Sequence, residues 1–491
     1  MERILLFKED DWNAMRSYSL QEDQNERAVF CYVEANSDDP SRFYVRAIHL
    51  PDEEDYQIKT PAFNSLTPDA QIKLFNTFRR REEMGLLEIH SHPFAAHGVF
   101  SSIDDANFPE FCRDVTRRKE GSFMLRMVVG RDEDGFTCLF SQPDSHKEVP
   151  VTEIRVIGRN TMKKIRPVSN SSKFRLRLFP VNTKKTSTDN RFTRNVEWLG
   201  DVAQSKFSRI TLGCIGAGGL MNPFILEAMH TGFKKFVIVD FDKIEEVNFN
   251  RLFGITSKDI GQYKVDVLKR EMLKFDPDLD ITVIKKKIQD DEVQDALQNT
   301  DILVSGVDNN ESRLVTQIFA ARHMIPMFDM GSGIYLDDDH TKIAAKGAQV
   351  RVFIPGYACL ACQGLNVEEI HSDTWMEARK SAGYVMDTNE SPGSVITFNA
   401  AIASVALSML IDYITGINKI PLQVNYDELN YTMRGRNISS RSDCPICGEE
   451  GVLGAGMERT KLKGGQEEIP QAADTQETDD TNDSNENERG A

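Results

Sequence analysis

The sequence predicts an α+β domain, then an α/β domain that binds a nucleotide, and finally an acidic tail. At 491 residues the chain is too long for one hydrophobic core. An apolar strand from Ile210 leads into a glycine turn at 216–219, a helical segment and a second apolar strand that ends at Asp240. That succession is typical of an α/β nucleotide pocket. The predicted segments are residues 1–155 for the first domain, 156–195 for a basic linker, 196–455 for the α/β domain and 456–491 for the tail.

Composition and charge exclude several classes of function. The formal net charge is −17, but residues 466–491 hold nine acids and one base, so the rest of the chain keeps only −9. Such mild acidity argues against nucleic-acid binding. The longest apolar run, Ala400 to Ile411, has twelve residues, too few to span a bilayer, and we find no apolar leader at the start. We therefore expect a cytoplasmic protein with neither membrane nor nucleic acid as partner, and a disordered tail.

Two histidines in the stretch GLLEIHSHP indicate a metal site in the first domain. His90 and His92 are two positions apart, so in a strand their imidazoles share a face. Asp104 follows beyond a turn-rich loop and can supply a third ligand. Two histidines, a carboxylate and a water make a catalytic zinc site, which still needs a base such as Glu26 for proton transfer. The alternative is a pair of polar histidines on an ordinary sheet face.

The motif H-S-H-P followed by S-x-x-D resembles the signature of the JAB/MPN (JAMM) metallopeptidases, which cut peptide or isopeptide bonds after ubiquitin-like proteins. The resemblance implies zinc ligation by His90, His92 and Asp104, oxyanion stabilisation by Ser101, and Glu26 as the base. Eight residues separate His92 from Ser101, whereas the family usually has seven. Asp105 therefore remains an alternative ligand.

The segment from Arg155 to Asn195 holds twelve Lys or Arg and one acid, which predicts a solvated linker. Its end, RFTRNVEWLG, resembles the leading segment of ThiF, MoeB and the ubiquitin-activating enzymes. In that family an arginine from this segment reaches the nucleotide phosphates, often across a dimer interface. The resemblance implies this role for Arg194, with Arg191 as the second candidate. It also implies a homodimer.

The α/β domain carries further motifs of the same family. DFDKIEEVNFNR, GQYK and VDNNESR resemble, in order, the D-x-D…N-x-x-R, G-x-x-K and D-N-x-x-x-R elements of the ThiF/MoeB/ubiquitin-activating (E1-like) adenylyltransferases, which implies a Rossmann-like adenylation fold. The glycine turn alone is shared with dinucleotide dehydrogenases. The implied roles are phosphate approach for Gly216, Gly218 and Gly219, ribose binding for Asp240, phosphate binding for Asn248, Arg251 and Lys264, magnesium binding for Asp308 and a structural role for Arg313.

The proposed chemistry explains why cations are needed there. A carboxylate that attacks the α-phosphate of ATP brings two anions together, so lysine, arginine and Mg²⁺ are required to neutralise the charge. One departure from the pattern is Met221 at the next glycine position, followed by Asn222. It raises the alternative of a decayed site.

Two C-x-x-C pairs predict a second zinc site. Cys359 and Cys362, with Cys444 and Cys447, supply four thiolates, a closed set that suits structural rather than catalytic zinc. The 81 residues between the pairs exceed a compact zinc ribbon but resemble the split zinc site of the same family. A redox role is the minor alternative.

No cysteine lies between Cys362 and Cys444, where many ubiquitin-activating enzymes carry the cysteine that forms a thioester. The intervening loop offers Asp387, Thr388 and Ser391 instead. The sequence therefore favours adenylation over thioester transfer.

The leading hypothesis is an enzyme with two activities. Its second half would adenylate a small ubiquitin-like or sulfur-carrier protein ending in Gly-Gly, with ATP and Mg²⁺, and its first half would process or deconjugate that protein with zinc. An E2-like protein or a sulfur donor would be a further partner. One alternative is sulfur-carrier activation for thiamine, molybdenum cofactor or cysteine biosynthesis without protein conjugation, and a second is a catalytically decayed binding scaffold.

Overall fold

The structure is a computed structural model that describes residues 2–36, 40–141, 147–166, 190–336, 342–365 and 395–456. Three predicted features lie outside the described residues: the middle of the basic segment, 167–189; the loop with Asp387, Thr388 and Ser391; and the tail from residue 457. Residues 1–460 form one compact unit. Within it, two large sheets mark an N-terminal half and an α/β half.

The N-terminal half is a nine-stranded mixed sheet with three helices and a separate two-stranded hairpin, β4–β5. Its strands are β1 (Ile4–Lys8), β2 (Ala28–Ala35), β3 (Arg42–His49), β4 (Tyr56–Thr60), β5 (Phe63–Leu66), β6 (Gly85–Ser91), β7 (Phe123–Val129), β8 (Phe136–Ser141), β9 (Glu148–Pro150), β10 (Glu153–Ile157) and β11 (Met162–Ile165). Its helices are α1 (Glu9–Ser19), α2 (Pro68–Arg80) and α3 (Ser102–Arg118). The order across the sheet is β11-β10-β1-β3-β2-β6-β7-β8-β9.

Alternation along the strands gives this sheet two apolar faces, since successive side chains point to opposite sides. Along β2, Val29, Cys31 and Val33 pack in a core that includes Trp12 of α1. Phe30 and Tyr32 face the other way and pack against α2 and α3. The second face therefore carries α3, whose first turn borders the histidines.

The α/β half is built on an eight-stranded sheet in the order β14-β13-β12-β15-β16-β17-β18-β19. Its strands are β12 (Thr211–Ile215), β13 (Lys235–Val239), β14 (Asp280–Ile284), β15 (Ile302–Ser305), β16 (Met327–Leu336), β17 (Ile343–Phe353), β18 (Gln423–Asp427) and β19 (Thr432–Arg436). Its described helices are α4 (Thr193–Leu199), α5 (Asp201–Phe207), α6 (Met221–Thr231), α7 (Lys264–Phe275), α8 (Asp291–Leu297), α9 (Asn310–Arg322) and α10 (Ile396–Thr415).

The first five of these strands across the sheet, from β14 to β16, are parallel, as the predicted α/β fold requires. The strand β12 lies centrally, with β13 on one side and β15 on the other. From β12 the chain first builds the sheet outwards on one side, through β13 and β14, and then on the other side, through β15 and β16. A crevice opens at the carboxyl ends of the strands where the direction changes, and ligands bind there in such folds. The segments after β12, β13 and β15 therefore converge.

The two halves meet at the opposite, amino ends of the parallel strands. Asp301, just before β15, forms ion pairs with Arg155 at 2.9 Å and Lys164 at 2.8 Å. Tyr44 Oη lies 2.9 Å from Nδ1 of the buried His323, which follows α9. The predicted domain boundary at residue 155 falls inside β10. Arg155 and Lys164, which were expected in a solvated linker, are instead paired with the buried Asp301.

Helix α10 is the one described helix that is long and apolar enough, by length and composition, to cross a membrane. Just over half of its most apolar stretch is buried, as in the core helix of a globular domain. It packs on α6 and on β16. Asn399, near its start, is fully buried beside the glycine turn.

Candidate active sites

The candidate metal site of the N-terminal half lies where β6 meets the start of α3. Glu88 and His90 alternate along β6 and share its helix-covered face, with His90 paired to Ala28 of β2. Helix α3 begins with a capping box, in which Ser101 Oγ accepts from the amide of Asp104 and the Asp104 carboxylate accepts from the amide of Ser101. This cap holds the Asp104 carboxylate beside the histidines.

The distances in this cluster suit a zinc ion. The Oδ2 atom of Asp104 lies 3.4 Å from Nε2 of His90 and 3.9 Å from Nε2 of His92. Two ligands at zinc bonds of about 2.0 Å in a tetrahedron are about 3.3 Å apart, whereas direct hydrogen bonds are shorter. His90 Nε2 is buried and makes no hydrogen bond of acceptable geometry. The donor set and its spacing therefore fit zinc.

Glu26 completes the cluster. Its Oε1 atom lies 3.5 Å from Nε2 of His92, and its side chain is only 8% exposed. Burial raises the pKa of Glu26 to about 7, although the positive charge of His90 opposes this. A carboxylate with such a pKa can both accept and return a proton near neutral pH.

The electrostatic environment of the cluster favours a cation. Burial alone would lower the pKa of His90, but the carboxylates of Glu88 and Asp104 raise it to about 10. The pKa of His92 is lowered by burial and by the neighbouring charge of His90. Burial also disfavours the charged form of Asp104, yet the nearby positive charge of His90 and hydrogen bonding to Ser101 keep its pKa below the usual range.

Glu88 is a residue of this site that the sequence analysis did not single out. Its Oε1 atom lies 3.1 Å from Nδ1 of His90, which leaves Nε2 directed at the cluster. Carboxylates commonly orient metal-binding histidines in this way. The signal was present in the sequence as E-x-H-x-H, since alternate residues of a strand share a face.

Two residues near this cluster, Asp105 in the first turn of α3 and His97 in the loop before it, do not join it. The alternative ligand Asp105 lies 3.0 Å from Arg126 rather than at the histidines. His97 lies 4.0 Å from exposed Asp132 in a separate surface group that also includes Asp134. Neither Asp105 nor His97 belongs to the three-ligand cluster.

The nucleotide pocket is organised by the glycine turn after β12. Gly216 has a φ of 101°, a left-handed conformation that favours glycine. The Asp240 carboxylate, at the end of β13, accepts hydrogen bonds from the amides of Ala217 at 2.6 Å and Asp242 at 2.7 Å. Burial raises the pKa of Asp240, while Lys264 opposes the shift. The predicted ribose-binding acid thus also braces the turn.

The next two glycines differ in their surroundings. A Cβ atom at Gly218 would meet nothing within 4 Å, whereas one at Gly219 would lie 2.6 Å from Nδ2 of Asn399 and 3.0 Å from Cδ of Arg251. Gly218 therefore borders open space, as close approach to a phosphate requires. Gly219 allows the stem of Arg251 and the start of α10 to close on the turn.

The two unusual residues after the turn are part of the core. Met221 is fully buried and packs against Gly306, where a Cβ would lie 2.7 Å from its Cγ. The side chain of Asn222 accepts a hydrogen bond from the amide of Phe253 at 2.8 Å and so fixes the loop that carries Arg251. Met221 replaces the third glycine without occupying the open space beside Gly218.

The predicted phosphate-binding residues are positioned around this turn. Lys264, at the start of α7, lies 2.6 Å from Asp242. Arg251 Nη1 donates to the carbonyl of Val247 at 2.7 Å. Asn248 is buried, and its Oδ1 accepts from the amide of Glu245, so it holds the local turn.

The predicted magnesium residue, Asp308, is exposed beyond the end of β15. Its loop is held by Arg313, which donates to the carbonyl of Val307 and to Asp329, both at 2.5 Å. Arg313 is buried, in keeping with the structural role expected for it.

The arginines of the leading segment lie apart from the pocket residues. Arg194 has a side chain that is 90% exposed and pairs with Glu197 in the same helix at 2.9 Å. Arg191 pairs with Asp276 after α7 at 3.0 Å. Of the two, Arg194 is the arginine whose side chain projects into solvent.

The four paired cysteines form one cluster. Cys359 and Cys444 have their sulfurs 3.6 Å apart, as do Cys362 and Cys447. Two thiolates on a tetrahedral zinc with bonds of about 2.3 Å are about 3.8 Å apart, so the spacing fits a zinc ion. Hydrogen bonds from Cys359 and the other thiols lower the pKa of Cys447 to about 5. The sequence-distant pairs are thus brought together as the split-site prediction required.

The chain is similar to several known proteins. A probable molybdopterin-synthase adenylyltransferase of Porphyra purpurea is 30% identical over 112 residues, which is 23% of this chain and 29% of that protein. A SAMP-activating enzyme E1 of Haloferax volcanii is 22% identical over 264 residues, 53% of this chain and 90% of that protein. E. coli MccB, in its crystal structure with ATP, is 22% identical in sequence to this chain with a TM-score of 0.43. The match covers 53% of this chain and 75% of the MccB chain.

The family comparison agrees with the motifs and with the site described above. The ThiF family matches residues 192–446, just over half of the chain, from the helix that bears Arg194 to the second cysteine pair. The glycine turn, Asp240, Arg251, Lys264 and the Asp308 loop all lie inside this match. The chain therefore belongs to the ThiF family.

Proposed function

We propose that the α/β half adenylates the C-terminal carboxylate of a small ubiquitin-like or sulfur-carrier protein, with ATP and Mg²⁺. The observation that carries the proposal is the glycine turn with Asp240, Arg251 and Lys264 around it, within a ThiF-family domain. The names of relatives support the substrate class, since they include a SAMP-activating enzyme and a sulfur carrier protein adenylyltransferase.

The residues of this pocket have chemically suitable roles. The open space beside Gly218 admits phosphates, and Asp240 can accept a hydrogen bond from the ribose. A carboxylate oxygen of the partner forms a bond to the α-phosphorus, and the bond to pyrophosphate breaks. Arg251 and Lys264 neutralise the phosphate charge, and Mg²⁺, which Asp308 would hold, supplies further neutralisation when bound.

Burial of Met221 argues against the decayed scaffold. A decayed site would be expected to fill its pocket, but this side chain packs beneath the turn and leaves the space at Gly218 open. The loss of the third glycine is accommodated by Gly306, which provides the room that Met221 occupies.

ATP–pyrophosphate exchange tests the adenylation proposal. Exchange should depend on a small partner protein that ends in Gly-Gly, and Asp308→Ala should reduce it by at least tenfold. Asp280→Ala, which removes an exposed acid at the start of β14, is the matched control and should leave exchange unchanged. Exchange without any need for the partner protein would reject the substrate class, and an unaffected Asp308→Ala would reject the magnesium assignment.

We further propose that the N-terminal half is a JAB/MPN-type metallopeptidase domain that processes or deconjugates the same partner. The supporting observation is the convergence of His90, His92, Asp104 and Glu26. Zinc, when bound there, would polarise the scissile carbonyl and acidify the attacking water. Glu26 would take the proton from that water and deliver it to the leaving amine. Ser101 accepts a bond in the cap, so its hydroxyl proton is still available for the oxyanion.

Cleavage of a linear fusion after the Gly-Gly of the partner tests this second activity. His92→Ala should abolish cleavage, and a chelator should do so reversibly. His97→Ala, a change in the neighbouring surface group, is the matched histidine control. Cleavage that survives His92→Ala would show that the activity resides elsewhere.

Mass spectrometry of the partner distinguishes the two pathways. A lysine isopeptide on a target protein supports conjugation, whereas a C-terminal thiocarboxylate supports sulfur transfer for cofactor or cysteine biosynthesis. The absence of a cysteine between the two zinc pairs agrees with an adenylate that passes to a separate acceptor, either an E2-like protein or a sulfur donor.

We also propose a homodimer in which Arg194 reaches the nucleotide of the second copy. The exposure of its side chain, which leaves the guanidinium accessible to a second chain, supports this role. Light scattering and Arg194→Ala in the exchange assay would test it, since an unaffected exchange rate would remove Arg194 from the site.

A further inference from the structure

Arg126 is a buried cation directly behind the candidate metal site. It lies on β7, and its register partner on the adjacent parallel strand β6 is Glu88, the residue that contacts His90. Register partners share a face of the sheet, so Arg126 points towards α3 as Glu88 does. Only 4% of the surface of Arg126 is exposed to solvent. The proposed hydrolytic mechanism gives this cation no role.

The contacts of Arg126 join β9 to the start of α3. Its Nη2 lies 3.0 Å from Oδ1 of Asp105, and Glu148 binds its Nε and Nη2 at 2.5 and 2.6 Å. The guanidinium lies over the rings of Phe100 at 4.1 Å and Phe108 at 4.7 Å. Arg126 therefore contacts residues before the cap, in the first turn and in the second turn of α3.

The rotation of α3 decides which carboxylate reaches the histidines. Asp104 and Asp105 are consecutive, so they project about 100° apart around the helix axis. Only one of them can face His90 and His92. In the structure Arg126 binds Asp105, and Asp104 is the residue directed at the two imidazoles.

We propose that Arg126 is a positioning residue for the metal site: by binding Asp105 it fixes the rotation of α3 that directs Asp104 to His90 and His92. This inference rests on the proposed metallopeptidase function.

Charge pairing rather than close packing maintains this arrangement. A cavity of about 190 Å³ borders Arg126, Asp105 and Glu148, so the side chains there are not held by tight contact on all sides. Without Arg126, the carboxylates of Asp105 and Glu148 would face each other beside a cluster that already holds Glu26, Glu88 and Asp104. The cation thus offsets repulsion as well as fixing geometry.

The second link runs through Phe100. Its ring centroid lies 6.0 Å from that of His90 and 4.1 Å from the guanidinium carbon of Arg126. The guanidinium of Arg126 therefore supports His90 through Phe100, and it supports Asp104 through the contact with the neighbouring Asp105. A neutral side chain of similar length can fill the space but can replace neither contact.

The test compares Arg126→Met, which removes the charge, with Arg126→Lys, which keeps it, in the full-length protein. Cobalt is bound in place of zinc, and its visible absorption reports the ligands at the histidines. Cobalt bound by the four cysteines gives separate thiolate bands, which are left out of the comparison. Arg126→Met should alter this spectrum and weaken zinc binding by roughly 10- to 100-fold, as second-layer changes typically do. Arg126→Lys should restore most of the affinity.

Asp105→Asn tests the same contact without removing the buried arginine. Alone it should weaken zinc binding in the same direction but less. Combined with Arg126→Met it should recover part of the wild-type spectrum, because no competing carboxylate remains. A folded Arg126→Met protein with wild-type spectrum and zinc affinity would overturn the proposal. If Arg126→Met fails to fold, an unchanged spectrum and affinity in Asp105→Asn overturns it equally.

The outcomes separate this inference from the proposed function. A wild-type protein that binds cobalt through the histidines but cleaves no fusion would reject the metallopeptidase function, while the spectra would still decide the role of Arg126. In an active enzyme, Arg126→Met should lower kcat with little change in KM, because it displaces a metal ligand and not the substrate. A change confined to KM would count against the positioning role.

Discussion

The two candidate sites differ in how completely their functional side chains are assembled. In the N-terminal half, two imidazoles and a carboxylate already converge on one point, and the candidate base lies 3.5 Å from His92. In the α/β half the cations bind groups of their own chain: Lys264 pairs with Asp242, and Arg251 with a carbonyl. A sheet face, a helix cap and the contact between Arg126 and Asp105 bring the first site together. Under the proposed adenylation, the cations of the second site would have to change partners when the nucleotide binds.

The largest effect should come from the cluster of four cysteines. If the cluster holds structural zinc, as its spacing fits, Cys447→Ser removes one of four thiolate ligands. Structural zinc contributes many kcal/mol to folding, so we expect a loss of on the order of 5 kcal/mol in the free energy of unfolding. His92→Ala, by contrast, should leave the melting temperature almost unchanged. Thermal unfolding of both variants measures the difference. Equal losses in the two variants would remove the distinction between a structural and a catalytic metal.

The next effect concerns the base. Glu26→Gln keeps the shape of the side chain but cannot accept a proton, so cleavage of the fusion should fall by roughly 10²- to 10⁴-fold. ATP–pyrophosphate exchange by the same variant should match the wild type. A comparable loss in exchange would indicate that the two halves are coupled and not independent, and would break the contrast drawn between the two sites.

A smaller effect is expected at the glycine turn. Gly219→Ala places a methyl group 2.6 Å from Asn399 Nδ2, and such overpacking typically costs about 1–3 kcal/mol. Gly218→Ala is the matched variant, because its methyl group would meet nothing within 4 Å. It should keep wild-type stability and raise the KM for ATP. Wild-type stability in Gly219→Ala would show that the turn is looser than the contact distances indicate.

The effect that is smallest near neutral pH is a pH dependence of stability at the contact between the halves. Burial, followed by the charges of Arg42 and Arg322, lowers the pKa of His323 to about 3, whereas an unfolded histidine titrates near 6.5. Between these values the unfolded chain binds a proton that the folded chain does not, so stability falls as the pH drops from about 6.5 towards 3. His323→Gln should flatten this part of the stability profile in chemical denaturation. His230→Gln, at an exposed position of α6, should leave the profile unchanged.

Local patterns in the sequence were sufficient to predict the elements of both sites. The alternation around His90 and the glycine turn are short-range features, so local patterns indicated both. The cap at Ser101 is equally local, but it was recognised only in the structure. The apolar segments Ala28–Ala35 and Arg42–His49 likewise form β2 and β3. The joining of Cys359 with Cys444 was expected from the two C-x-x-C pairs, and the family resemblance accounted for their wide separation in sequence.

Contacts between distant residues were not predictable in this way. The pairing of Arg155 and Lys164 with Asp301 spans more than 130 residues, so a count of basic residues suggested a linker where the structure has two strands. The role of Asn222 likewise depends on a loop that returns to α6. Such contacts depend on how segments that are distant in sequence pack together, which no short pattern encodes.

The placement of the contact between the halves has a kinetic consequence for the proposed pair of reactions. The N-terminal half meets the amino ends of β12 and β15, whereas the glycine turn follows the carboxyl end of β12. The five residues of β12 span about 16 Å, and a fully extended tail covers at most about 3.6 Å per residue. A tail threaded into the nucleotide pocket would use about five residues on the height of the sheet alone. A partner whose flexible tail is shorter than this span would therefore have to leave one site before it reached the other, and its release rates would then set the balance between activation and removal.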